Sequence, residues 1–159
     1  MIKVGDRIPS ATLREKTAEG VKPVTTDELF KGKKVALFAL PGAFTPTCSA
    51  KHVPGFVGSF DKIKAKGVDT IACISVNDAF VMGAWGKDRQ VGDKILMLAD
   101  GSGEFSQAMG LTMDLTKNGL GVRSQRYAMI VQDGVIKDLF VEKPGAFEAS
   151  TAENVLKHL

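Results

Sequence analysis

The stretch Val35-Ala36-Leu37-Phe38-Ala39-Leu40-Pro41-Gly42-Ala43-Phe44-Thr45-Pro46-Thr47-Cys48 decides how this chain folds. Six apolar residues without polar alternation suit a strand buried on both faces, and such a strand belongs to a sheet covered by helices on both sides. Pro41 ends the run, a turn follows, and helical spacing resumes from Cys48 onward, so Cys48 is expected in the first turn of a helix. Backbone N–H groups there lack a helical partner and the helix dipole adds to them, a setting that favours thiolate over thiol. Thr45 stands three residues earlier, the spacing of the two positions in a Cys-x-x-Cys motif, so its hydroxyl can reach the sulfur or an oxygen bound beside it.

Similar apolar runs recur at residues 71–76, 95–99 and Tyr127–Gln132, separated by helical patterns at 48–66, 78–89 and Glu104–Met109, with a last helix expected at 151–159. Asn77 or Asp78 is expected to cap the second of these helices, and Ser150 with Glu153 has capping-box spacing before the last. Asp133-Gly134, between Tyr127–Gln132 and Val135–Val141, is a hairpin signal, because both central positions of a type I′ turn need φ > 0. The order describes an α/β protein with a mixed central sheet flanked by helices, a βαβ start and a hairpin-then-helix end, as in thioredoxin-like folds.

The composition fits one domain over residues 1–159: 44% of residues are hydrophobic and 25% charged, which excludes disordered, collagen-like and disulfide-scaffold classes. The net charge of +3 is spread out except at Lys31-Gly32-Lys33-Lys34, so no nucleic-acid partner is expected. The longest clean apolar run is six residues, far short of a membrane span. Residues 1–7 lack the features of a secretory or transit segment, and the expected location is cytoplasmic. Cys48 and Cys73 are the only cysteines, without zinc-site spacing, and no metal is expected. Gly119-Leu120-Gly121-Val122 is no phosphate loop, having no lysine and no following helix.

The run PGAFTPTCSAKHVPGF, residues 41–56, resembles the active-site signature of the type II peroxiredoxins, the peroxiredoxin 5 group, and the likeness continues through KAKGV, ACISVNDAFVMGAW, LADGSGEF and RYAMIVQDG. The resemblance implies an elaborated thioredoxin fold and thiol-dependent reduction of hydrogen peroxide and alkyl hydroperoxides, without metal, flavin or haem. It implies that Cys48 is the peroxidatic cysteine that passes through a sulfenic acid, Thr45 its hydroxyl partner, and Pro41 the proline that shields it. Arg126 matches the arginine that completes the site from across the sheet, in preference to Arg123, which reads as a surface residue. Backbone N–H groups near Thr47 and Cys48 are expected to bind the substrate oxygens.

The segment Ala146-Phe147-Glu148-Ala149-Ser150 has no cysteine where the intramolecular-disulfide branch of the family places its resolving residue. Cys73 has the spacing of plant and bacterial type II members but lies in a buried-strand pattern, so it reads as packing in preference to a resolving cysteine. Glutathione with glutaredoxin, or thioredoxin, is therefore the expected reductant. Phe44 and Phe80 are candidates for a homodimer contact of the kind the family forms. His52, four residues after Cys48, invites a Cys/His hydrolase reading, against which a pocket-rim or hydrogen-bonding role is favoured. The rivals to a peroxidase are a thiol-disulfide oxidoreductase, disfavoured by Thr45 in place of a second cysteine, and a redox-dependent chaperone or signalling partner.

Overall fold

The computed structural model describes residues 1–159. The chain runs β1 (Thr12–Thr17), β2 (Gly20–Thr25), α1 (Thr26–Phe30) and β3 (Lys34–Leu40), then a π-helical turn (Cys48–His52) continuous with α2 (Val53–Gly58), and α3 (Phe60–Ala65). It continues through β4 (Thr70–Ser75), α4 (Ala79–Asp88), β5 (Leu96–Ala99), α5 (Glu104–Met109), β6 (Thr112–Leu115) and a short 3₁₀ turn (Thr116–Asn118). β7 (Gly121–Ser124), β8 (Tyr127–Gln132), β9 (Val135–Val141) and α6 (Ala152–Lys157) complete it.

Seven strands form one sheet in the order β2-β1-β5-β4-β3-β8-β9, and β6 and β7 make a separate ribbon. β3, β4 and β5 are parallel, whereas β8, β9 and the β1–β2 hairpin join antiparallel. The continuous apolar runs follow from this placement, since each residue of β3 after Lys34 is buried and successive side chains enter opposite layers. Ala36, Phe38 and Leu40, with Cys73, Ala128 and Ile130, pack in the layer that holds Val53 and Phe56 of α2, Trp85 of α4 and Val155 of α6. Val35, Leu37 and Ala39, with Ile74 and Met129, pack in the opposite layer with Phe30 of α1 and Phe105 and Met109 of α5. No helix is long and apolar enough to cross a membrane.

The β1–β2 hairpin and the β6–β7 ribbon are additions to the sequence reading. β1 and β2 carry Arg14, Glu15, Lys16 and Lys22 among mostly half-buried or exposed positions, which hides the strand pattern. Pro23 is accommodated because β2 is an edge strand. At the β8–β9 turn Asp133 has φ 49° and Gly134 φ 79°, the positive values expected there.

Three local expectations are corrected. The helix expected over 48–66 is interrupted at Ser59 (φ −99°, ψ 7°), between α2 and α3, and its first residues form a π-helical turn: Pro54 has no N–H for the ladder and its ring crowds the preceding turn, and Val53 N–H reaches back to Cys48 O. The cap of α4 is Asp78, whose carboxylate accepts from Val81 N–H at 2.8 Å, while Asn77 is used elsewhere. The cap of α6 is Thr151, accepting from Asn154 N–H at 3.1 Å, because Ser150 is bound to Glu142.

Candidate active site

The loop after β3 turns sharply at Phe44, whose φ of 63° is unusual for a bulky residue. Thr45 O then accepts from Ser49 N–H at 3.0 Å, and Pro46 and Thr47 are already helical. Proline is suited to a first helical position, where no N–H is needed. Cys48 thus lies in the first turn, as expected, and the N–H groups of Thr47 and Cys48 give no backbone hydrogen bond. Its side chain is fully buried.

Arg126 arrives from across the sheet. Register pairs Ala39 of β3 with Tyr127 of β8, so Arg126, one residue before, emerges beside the start of the Cys48 loop. Its Nη2–H donates to Cys48 Sγ at 3.0 Å, and its Nη1 lies 2.8 Å from His52 Nδ1. The other imidazole nitrogen, Nε2, is 3.0 Å from Ser150 O. A carbonyl can only accept, so Nε2 carries the proton and Nδ1 accepts from the guanidinium. Burial first, and the Arg126 charge second, push His52 down to about 3, against the smaller opposing pull of Ser150 O and Glu142. With both nitrogens engaged and the ring neutral, His52 offers Cys48 no base, which removes the hydrolase reading. It is a buried hydrogen-bonding residue, with the rings of Phe38, Phe56 and Phe147 around it.

Ser150 is held in turn by Glu142. The Glu142 Oε2 atom accepts from Glu148 N–H at 2.8 Å, Ser150 N–H at 2.7 Å and Ser150 Oγ–H at 2.8 Å. Burial would raise the Glu142 carboxyl, but the hydrogen bonds from Ser150, Ala149 and Glu148 together hold it below the usual carboxylate range. A chain therefore runs Glu142–Ser150–His52–Arg126–Cys48. The helical spacing of His52 was its only sequence signal, Ser150 was marked only by its capping-box spacing with Glu153, and Glu142 had no signal.

Thr45 is half-buried, and its hydroxyl donates to Gly42 O at 2.7 Å. Pro41 O accepts from Arg123 Nη1–H at 3.2 Å, so Arg123 is half-buried against the loop and not the solvated surface residue expected. Asn77 Oδ1 accepts from Ala43 N–H at 3.0 Å and from Ser75 Oγ–H at 2.6 Å. On the far side of the π-helical turn, Trp85 Nε1–H donates to Ser49 Oγ at 2.9 Å and Arg89 Nη1–H to Ser49 O at 3.1 Å, contacts that no sequence motif marks.

Cys73 pairs in register with Phe38 and Met97 in the middle of the sheet, fully buried and in the same layer as Cys48. Burial, and then the nearby Cys48, push its thiol up, so it is neutral and a poor nucleophile. Phe44 and Phe80 are exposed at 53% and 66%.

The redoxin family model matches residues 3–156. The chain is 54% identical to the Peroxiredoxin-2E, chloroplastic, of Arabidopsis thaliana, across 99% of this chain and 69% of that protein. It belongs to the type II peroxiredoxins. The crystal structure of reduced Prx3 from Vibrio vulnificus in complex with hydrogen peroxide superposes on this peroxiredoxin with a TM-score of 0.96, at 54% identity over 99% of each chain. The antioxidant protein of Plasmodium falciparum, a 1-Cys peroxiredoxin, has a TM-score of 0.93 at 32% identity over 99% of this chain and 98% of its own. The protein is a thiol peroxidase of thioredoxin-like fold, an oxidoreductase that acts on peroxides with thiol reductants.

Proposed function

We propose that this thiol peroxidase works through Cys48, on the observation that the Arg126 guanidinium donates directly to its sulfur at 3.0 Å. The thiolate is the form that attacks peroxide, and here a cationic hydrogen-bond donor lies directly against the sulfur. The Cys48 thiolate attacks the terminal oxygen of a hydroperoxide; the S–O bond forms as the O–O bond breaks, and the alkoxide or hydroxide leaves with a proton as alcohol or water. Cys48 is oxidised by two electrons to a sulfenic acid. The Thr45 hydroxyl hydrogen is committed to Gly42 O, so its oxygen is left to act as an acceptor for the peroxide O–H. Arg126 and the N–H groups of Thr47 and Cys48 stabilise the charge that develops on the oxygens, and Pro41 shields the product from water. The hydrogen peroxide bound in the Vibrio vulnificus relative supports this substrate here.

An external thiol closes the cycle: glutathione attacks the sulfenic sulfur, water leaves, and a second thiol, supplied through glutaredoxin, or thioredoxin in its place, releases Cys48. The neutral, buried thiol of Cys73 supports external over internal resolution, as does the 1-Cys relative. Two free cysteines and a thiol reductant suit the cytoplasm, where thiols stay reduced. A homodimer that covers Phe44 and Phe80 completes the reading, and sedimentation of wild type against Phe80→Asp tests it. Intact-mass spectrometry after one equivalent of hydrogen peroxide, with and without glutathione, tests the cycle. A glutathione adduct in both wild type and Cys73→Ser is expected. A loss of two hydrogens in wild type alone would overturn external resolution, and peroxide consumption by Cys48→Ser would overturn the assignment of Cys48.

A further inference from the structure

The loop that carries Thr45 hangs from three hydrogen bonds. The Thr45 hydroxyl holds Gly42 O at 2.7 Å, Asn77 holds Ala43 N–H at 3.0 Å, and Arg123 holds Pro41 O at 3.2 Å. The third comes from outside the main sheet, since β7, which carries Arg123, pairs only with β6. The Arg123 side chain is aimed by its own hairpin, its Nε–H donating to Leu120 O at 2.8 Å, and no carboxylate pairs with it. A half-buried guanidinium whose two hydrogen bonds both go to backbone carbonyls is a clamp more than a surface charge.

The second observation comes from Gly42. Its φ lies outside the left-handed region, so its backbone does not call for glycine. A Cβ at this position would nevertheless sit 2.9 Å from Arg123 Nη1 and 3.2 Å from Thr45 Cγ2. A side chain at 42 would therefore push the end of Arg123 away from Pro41 O and crowd Thr45, so the two contacts meet at this one position.

We propose that Arg123 is a positioning residue of the peroxidase reaction, which fixes the Pro41–Gly42 peptide and through it the Thr45 hydroxyl that receives the peroxide. The inference rests on Cys48 being the peroxidatic cysteine. Arg123 acts on the loop and Arg126 on the sulfur, so the two separate experimentally: losing Arg123 impairs reaction with peroxide, which needs the loop, and spares alkylation of Cys48, which needs only the thiolate. A displacement of about 1 Å in a positioned group can cost up to about a hundredfold in rate.

The test is stopped-flow oxidation by hydrogen peroxide beside iodoacetamide alkylation of Cys48. Trp85, the only tryptophan, bonded to the residue next to Cys48, is the fluorescent reporter. Arg123→Met and Gly42→Ala are each expected to slow peroxide oxidation about tenfold to a hundredfold while alkylation stays within about twofold. Arg123→Lys, which still reaches one carbonyl, is expected to recover part of the rate. The double variant Arg123→Met/Gly42→Ala is expected to be no slower than Gly42→Ala alone, since both remove the same contact. Wild-type oxidation in Arg123→Met, a parallel loss of oxidation and alkylation, or losses that multiply in the double variant would each overturn the proposal. Peroxide consumption by Cys48→Ser would instead overturn the reading of Cys48, whatever Arg123 does.

Discussion

His52 holds Arg126 in place: its Nδ1 lone pair accepts from Nη1–H at 2.8 Å, which leaves Nη2–H aimed at Cys48 Sγ 3.0 Å away. The planar fork of the guanidinium makes both bonds at once, and a neutral imidazole is what allows a cation to sit against it. The ring stays neutral because it is buried and because the cation itself opposes a second positive charge.

Arg126→Lys and Arg126→Met are therefore expected to behave alike. Lysine is a point charge that cannot bridge imidazole and sulfur in one plane, so either change should slow oxidation of Cys48 by about 10²–10³-fold, the cost typical of removing one donor from a site of developing negative charge. Stopped-flow rates measure this, and a lysine variant at wild-type speed would show that charge alone suffices.

The depressed His52 makes the fold sensitive to mild acid. Unfolded His52 takes up a proton near pH ~6.5, whereas the folded ring resists it down to about 3, so the unfolded chain binds more protons in this window. The contribution is complete above pH ~6.5 and is lost as the pH falls, at up to about 1.4 kcal/mol per unit. Urea unfolding should give a stability about 2 kcal/mol lower at pH 5 than at pH 7. His52→Gln should abolish most of that difference.

Glu142→Gln removes the charge from a carboxylate oxygen that takes three hydrogen bonds. A loss of about 1.5–3 kcal/mol is expected from weakening charged-group hydrogen bonds, read in calorimetry. The folded carboxyl is held below its unfolded value, so its contribution is present above pH ~4.5 and disappears as the pH falls below that, separately from His52. Because Ser150 carries the carbonyl that orients His52, peroxide oxidation should also slow, by less than in the Arg126 variants.

Tyr127 offers a contrast in the layer opposite Cys48. Its hydroxyl is buried without a hydrogen-bond partner, and burial followed by the charge of Asp100 pushes it up, so it stays protonated. Tyr127→Phe removes an unsatisfied polar atom and should leave stability unchanged or raise it by about 1 kcal/mol. Thermal unfolding measures this, and the peroxide rate should not change.

What local chemistry expresses was present in the sequence. β3 and β8 showed as unbroken apolar runs because both of their faces are covered. Asp133-Gly134 showed as a hairpin because few other pairs tolerate two positive φ values. Cys48 and Thr45 stood out because a loop entering a helix is itself a local signal, and Arg126 because it directly precedes a buried strand. β1 and β2 stayed hidden because an edge hairpin half open to water carries no such pattern.

The tertiary structure alone decided the contacts between distant parts of the chain. His52 meets Ser150, and Arg123 meets Pro41, across 98 and 82 residues of sequence. Each pair consists of a common polar side chain and a backbone carbonyl, and every residue, proline included, offers such a carbonyl. Which carbonyl a side chain reaches is set by sheet order and strand register, and these follow from packing the whole core and not from any short run of residues.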